Sequence, residues 1–338
     1  MASISARSAR SARAAIKEVQ AMNYAENRIH TGHPDYETQF WNCMKGAPYA
    51  EDRLEKGRSS ATGTYNLPVN TDNNYEKEIG KVSVFRKLAS VFTRYNGAVD
   101  IITANSDDIA EFVPETESID IKDAIDDFNT VRVTGNKLAT LLRLPTEFVT
   151  DAAFNLEGYL TKHLARNFAR AEDNGFINGT GTDEPVGILH ATAGAETAAT
   201  VETITYDDVI SLYFSVKAEY RTNAVWLMND KTALALRKLK DNTGNYIWNN
   251  ADNTILGKPV IISEYMPDAE EGNKPIAFGD FSYYWIVKRT PVSCKILQEL
   301  FALRHQTGYL AFEFIDGKLI RTDAVKVIEM ASEESASA

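Results

Sequence analysis

Only two cysteines, Cys43 and Cys294, occur in the 338 residues. They lie far apart and in no ligand-type spacing, so neither a disulfide framework nor a cysteine metal motif is available, and both read as reduced thiols of a cytosolic setting. No apolar run approaches the ~18 residues that cross a membrane. The N-terminus, MASISARSARSARAAIKEV, has arginines but lacks the apolar segment of a secretory signal. A phosphate loop, His-Glu-x-x-His, Cys-x-x-Cys and a Gly-x-Ser-x-Gly elbow are all missing. Gly179-Thr180-Gly181 is followed by Glu184 where a dinucleotide fingerprint needs its third glycine. His30 and His33 flank a Gly-Pro break with no cysteine nearby, and His163 sits in mid-helix beside Lys162. Acids crowd residues 107–127 without the spacing or the bidentate glutamate of a calcium loop. No nucleophile, base and oxyanion donors come together, so catalytic, cofactor-binding and metal residues are all expected to be none, and the chain is not expected to be an enzyme.

What is present is a chain that is 44% hydrophobic and 25% charged, with a net charge of −11. That is enough apolar material for a sizeable core, in about two domains or one elaborated domain. A free acidic chain is also a poor nucleic-acid binder. The pattern mixes helical and strand periods, an α+β class. Residues 1–30 read as a helix with Arg7, Arg10, Arg13 and Lys17 on one face, either a docking stripe or a solvated end. A short helix over 35–45 follows, with Asp35 as its cap. Residues 46–75 are rich in Gly, Ser, Thr, Asn and Pro and read as an extended arm. Tyr65, Leu67 and Val69 punctuate it, which implies that it lies against something, a neighbouring copy being one candidate. Residues 76–92 read as a short buried helix leading into a strand.

Alternating apolar positions over 99–143 predict a long two-stranded β-arm whose acid-rich tip is 107–127. Such a hairpin is marginal by itself, so a neighbouring molecule is expected to support it. Leu156, Leu160, Leu164 and Phe168 predict a helix over 151–176, capped by Asp151, with Arg166, Arg170, Glu172 and Asp173 on the other face. It ends in the stretch FARAEDNGFINGTGTDEPVGIL, residues 168–189. Asn178, Gly179 and Gly181 tolerate a tight turn there, Pro185 blocks further helix, and Gly187 precedes an apolar strand start. Further on, helices are expected over 206–219, opened by Thr205 or Asp207, and over 230–239, capped by Asn229. Strands are expected at 224–228, 260–263 and 294–303, with a hairpin over 276–289 hinged at Gly279-Asp280. Late strands at 309–316 and 324–329 would be joined by a turn at Asp316-Gly317. Tyr283-Tyr284-Trp285 is compatible with a base-stacking platform, but in an alternating strand more often forms half core and half interface.

The 168–189 stretch resembles the segment that closes the long spine helix in major capsid proteins of tailed bacteriophages. DYETQFWNCMKG (35–46), SSATGTYNLPV (59–69), EIGKVSVFRKLASV (78–91), LKDNTGNYIW (239–248) and LGKPV (256–260) are similar to further landmarks of that family, in the same order. The resemblance implies the phage major-capsid fold. Its parts would be a short N-terminal helical segment (1–45), an N-terminal arm (46–75), a peripheral domain (76–98, 134–190 and 296–331), an E-loop (99–133), an axial domain (191–295) and a tail (332–338).

It also implies a structural protein that self-assembles through pentamers and hexamers into an icosahedral shell around the double-stranded DNA of a phage. An encapsulin-like nanocompartment shell is the alternative. Expected partners are further copies of the chain, a portal and a separate scaffolding protein, since only about 30–45 residues precede the arm. The enclosed DNA would be bound without sequence specificity, and no membrane is involved. The expected location is the virion, assembled in the host bacterial cytoplasm. Charge then suggests inter-subunit contacts in which Glu111, Glu115, Glu117, Asp120, Lys122 and Asp123 of the E-loop meet a neighbouring spine at Arg166 and Arg170. Some relatives cross-link an E-loop lysine to a peripheral-domain asparagine. Here Lys122 is present, but the corresponding region reads Leu303-Arg304-His305-Gln306, so no covalent link is expected.

Overall fold

The computed structural model describes residues 28–47, 50–55, 64–93, 99–104, 128–133, 135–151, 153–240, 243–248 and 253–331. In chain order the first elements are α1 (Tyr36–Met44), β1 (Tyr65–Asn66), α2 (Val69–Val82), β2 (Ser90–Thr93), β3 (Val99–Ala104), β4 (Phe128–Val133), β5 (Asn136–Pro145), α3 (Thr146–Thr150) and α4 (Leu156–Asn178). There follow β6 (Glu196–Val201), α5 (Tyr206–Ser215), β7 (Val225–Met228), α6 (Asp230–Arg237), β8 (Thr254–Ile255) and β9 (Lys258–Ile262). The last are β10 (Ile276–Gly279), β11 (Tyr284–Leu297), β12 (Gln306–Leu319) and β13 (Val325–Met330). Two compact units share this chain. One is Met1–Val82 with Leu138–Ala169 and Pro291–Glu313; the other is Ser83–Lys137 with Arg170–Thr290 and Phe314–Ala338. Helix α4 and strands β11 and β12 run on from one unit into the other.

The first unit is organised by the apolar stripe of α4. Leu156, Leu160, Leu164, Ala165 and Phe168 are buried with Phe40 and Trp41 of α1, Tyr75 and Ile79 of α2, Val292 and Cys294 of β11, and Tyr309 of β12. Each large side chain removed from water contributes about 1.5–3 kcal/mol. Four tyrosines bring hydroxyls into this core, and each donates a hydrogen bond: Tyr36 to Asn66 O (2.8 Å), Tyr65 to Glu51 O (3.2 Å), Tyr75 to Glu313 Oε1 (3.2 Å) and Tyr309 to Met44 O (2.9 Å). These bonds stitch part of the expected arm to its own unit. Tyr65 and Leu67 are buried within the chain rather than awaiting a neighbour, Val69 is exposed, and residues 69–75 are helical rather than extended. The burial of Tyr65 depends on residues distant in sequence, which local composition could not show.

Both cysteines lie in this core, and burial pushes each thiol up to about 12. The native protein is therefore expected to show no reactive thiol toward a disulfide reagent at pH 8 and both after denaturation. Rapid native labelling of either would contradict the packing.

The second unit holds a six-stranded sheet in the order β6-β13-β10-β7-β9-β8. β10 pairs antiparallel with β13 and β7, whereas β7 with β9 and β13 with β6 are parallel. The centre is apolar without alternation: β7 reads VWLM and β10 IAFG, as expected of strands covered on both faces. Trp226 lies 4.1 Å from Phe278 and donates Nε1–H to Ile255 O (3.0 Å). Thr205 caps α5 in a reciprocal box with Asp208, and Asn229 caps α6 through Thr232 N–H (2.7 Å), both as the sequence suggests. β13 pairs between β6 and β10. That long-range register leaves no trace in local pattern.

Two further expectations change. β11 is one strand through Leu297, followed by a 3₁₀ helix at Glu299–Arg304, so of the expected strand over 294–303 only 294–297 is extended. β12 runs straight through Asp316-Gly317 with no turn. Gly317 serves close packing instead, because a Cβ there would stand 2.6 Å from Tyr284 Oη. Tyr284 itself is buried, while Tyr283 packs on Tyr220 and Trp285 on Phe92, which makes this triplet core and edge rather than an open platform.

Candidate assembly surface

The long helix α4 begins at Leu156, four residues later than a cap at Asp151 suggests. Asp151 instead closes α3 and accepts Ala153 N–H (2.9 Å), and Asn155 Oδ1 takes Gly158 N–H (2.9 Å) at the true start. Asp35 likewise precedes α1 without a side-chain capping bond. With 23 residues α4 is about 35 Å long.

Glu172 and Asp173 do not share the outer face with the arginines. Both are buried, at 2% and 4% exposure. Glu172 accepts Arg86 Nε–H (2.6 Å) and Nη2–H (2.8 Å), a bidentate pair whose side chains are 5% and 0% exposed. Asp173 accepts the Ser83 hydroxyl (2.6 Å), Val84 N–H (2.9 Å) and Phe85 N–H (3.1 Å). Burial raises the Asp173 carboxyl above the usual range despite these three donors. Phe85 is set beside Phe176 and Tyr284, with ring centroids at 5.8 and 4.9 Å. Two adjacent acids thus clamp residues 83–86, the stretch from which the chain proceeds to β2 and then β3. The sequence carried a signal for this. Glu172 continues the four-residue spacing of Leu156, Leu160, Leu164 and Phe168, so it falls on the apolar stripe and needs a buried partner.

The helix ends at Asn178, two residues beyond the expected 151–176, and the turn is held by backbone. Ile188 and Leu189 donate N–H to Phe176 O (2.9 Å) and Ile177 O (3.1 Å), so the chain folds back along the helix end instead of starting a strand. Gly181 has φ +76, and Asn178 Nδ2 donates to Tyr265 O (2.8 Å). A Cβ on Gly179 would meet Pro185 O at 2.2 Å. Asn178, Gly179, Gly181 and Pro185 are therefore brought together.

Arg166 and Arg170 are exposed on the outer face of α4. β3 and β4 pair antiparallel from Val99↔Val133 to Ala104↔Phe128, in a sheet of their own. Glu111, Glu115, Glu117, Asp120, Lys122 and Asp123 lie outside the described residues, as do residues 1–27 with their basic stripe. Among the described residues no helix is long and apolar enough to cross a membrane.

The model of the phage capsid family matches residues 63–330. The chain is similar to a capsid polyprotein of Pseudomonas phage PAJU2, 27% identical over 145 residues, 40% of this chain and 22% of that one. The match thus spans about a fifth of the length of that curated relative. Among solved structures it resembles the capsid of a native GTA particle (26% identity, TM-score 0.63, covering 85% of this chain and 99% of the other) and of an empty GTA particle (28%, 0.60, 74% and 90%). A protein of Gordonia phage Cozz shares the fold at 17% identity and TM-score 0.52, covering 74% and 87%.

Proposed function

The chain belongs to the phage capsid family, a structural major capsid protein rather than an enzyme, and from that premise we propose that it assembles through pentamers and hexamers into an icosahedral shell enclosing double-stranded DNA. The observation that carries this is coverage. The chain matches 99% of the capsid chain of a native GTA particle, with the long helix, the six-stranded sheet and the β3–β4 ribbon all present. The capsid matches do not favour the encapsulin-like alternative. In this reading β3 and β4 form the base of the E-loop, α4 is the spine of the peripheral domain, and the six-stranded sheet forms the body of the axial domain. A portal and a separate scaffolding protein complete the assembly in the host cytoplasm, and the DNA is held without sequence-specific contacts.

Analytical ultracentrifugation of the purified chain tests the reading. Pentamers, hexamers or particles of far larger mass are expected, and a chain that stays monomeric at high concentration and with added scaffold would contradict it. The shell is further expected to carry no covalent cross-links. Assembled protein should run as monomer alone on a denaturing gel, and a ladder of multimers resistant to reductant would refute this.

A further inference from the structure

Helices α2 and α4 leave a cleft of about 470 Å³ between them, wholly within the first unit. Small-ligand sites are commonly ~300–1,000 Å³ but mostly apolar in lining. This cleft is polar. From α2 it is lined by Asn74, Lys77, Glu78 and Lys81, which share one face at three- and four-residue spacing. From α4 come Glu157, Thr161 and Lys162, while Gly158 adds no side chain to the wall.

Several of these polar groups have nothing to bond. Thr161 is only 7% exposed, yet among the described residues its hydroxyl has no hydrogen-bond partner. Buried hydroxyls ordinarily have one. Asn74, Lys77 and Lys162 likewise make no side-chain hydrogen bond or ion pair among the described residues. The two carboxylates are already engaged. Glu78 accepts Lys81 Nζ–H (2.6 Å), and Glu157 Oε1 accepts the Thr71 hydroxyl (3.4 Å). Burial, with the Glu37 charge added to it, raises the Glu157 carboxyl above the usual range, so negative charge on that wall is disfavoured. The Gly158 N–H is taken by Asn155 Oδ1 (2.9 Å), so the free donors are side chains. Three lysines thus face two acids, in a chain of net charge −11.

Unused ammonium, amide and hydroxyl donors call for a ligand made of acceptors. A metal cation would meet three ammonium groups instead. A carboxylate brings two oxygens, whereas a phosphate brings three or more and a charge of about −1.5 to −2 near neutrality. Lysine suits such a group as a point charge. We propose that the α2–α4 cleft is a phosphate-binding site, in which Lys77 and Lys162 clasp the group from opposite walls and the Asn74 amide and Thr161 hydroxyl donate to its oxygens. The phosphate is either free, as in inorganic phosphate or pyrophosphate, or carried on a polynucleotide.

Calorimetric titration of the full chain with pyrophosphate, at constant ionic strength, tests this. One saturable site per chain is expected, with a urea midpoint that rises as the site fills. Lys77→Gln with Lys162→Gln should weaken binding roughly tenfold or more. Thr161→Val should weaken it roughly threefold or more, and Thr161→Ser, which keeps the hydroxyl, should retain it. Lys238→Gln, at an exposed lysine outside the cleft, should change nothing. Circular dichroism and the ligand-free urea midpoint establish that each variant is folded. A duplex oligonucleotide that displaces pyrophosphate would show that the site takes a phosphate carried on nucleic acid. One that does not would leave the free anion as its ligand, and either result supports the site. No saturable binding overturns the proposal, as does full binding by the folded Lys77→Gln/Lys162→Gln variant. A Lys238→Gln loss equal to that of the double variant would mean diffuse charge attraction, and would also overturn it.

Discussion

Glu172→Ala is expected to lower the stability of the subunit by about 3–5 kcal/mol, because it leaves the Arg86 guanidinium buried without its carboxylate. The loss should appear as a lower urea midpoint with an unchanged slope. The size follows from geometry. Both nitrogen-to-oxygen distances, 2.6 and 2.8 Å, are those of charge-assisted bonds, and the carboxylate is wholly removed from water. Glu172→Gln should cost less, since one acceptor survives. Arg86→Met with Glu172→Leu together should cost less than either single truncation, because both charges of the pair are then removed together. A Glu172→Ala loss below ~1 kcal/mol would mean that the pair behaves as a solvated surface bridge. The consequence for assembly runs through the chain path: residues 83–86 are fixed to α4 by Glu172 and Asp173, and the chain continues from them to β2 and the β3–β4 ribbon.

Gly187→Ala and Gly179→Ala are expected to be the next most damaging changes, each costing at least ~1–3 kcal/mol through overpacking. An added Cβ on Gly187 would stand 2.5 Å from both Gly179 N and Ile177 O. On Gly179 it would stand 2.2 Å from Pro185 O and 2.3 Å from Gly175 O. These obstacles are backbone atoms, which cannot rotate aside as a side chain can. Two other glycines supply the contrast. Gly244 has φ +86 but open space around it, so alanine there meets only the left-handed backbone penalty of about 1–2 kcal/mol. Gly80 lies inside α2 with nothing within 4 Å, and alanine should raise stability by up to ~1 kcal/mol. Thermal or urea midpoints that fail to separate these pairs would contradict the close approach at the helix end.

Much of this arrangement was legible in the chain. The spacing of Leu156, Leu160, Leu164 and Phe168 identified α4 and its buried face. Gly179, Gly181 and Pro185 marked its end, and Thr205 and Asn229 the starts of two later helices. The resemblance in ordered motifs carried the fold and the family. What was not legible depends on partners remote in sequence. The inward turn of Asp173 needs Ser83, Val84 and Phe85, and the burial of Tyr65 needs the carbonyl of Glu51 and the strand at Cys294. The place of β13 between β6 and β10 is a pairing choice that local propensity does not decide. Asp151 misled as a cap because a short helix, α3, intervenes before Asn155. Gly317 misled as a turn because its missing side chain makes room for the Tyr284 ring.

The shell itself is tested most directly by electron microscopy of the purified chain. Closed particles, or sheets and tubes of pentamers and hexamers, are the predicted result. A field of single, unassociated subunits that persists at high concentration and with added scaffold would contradict it.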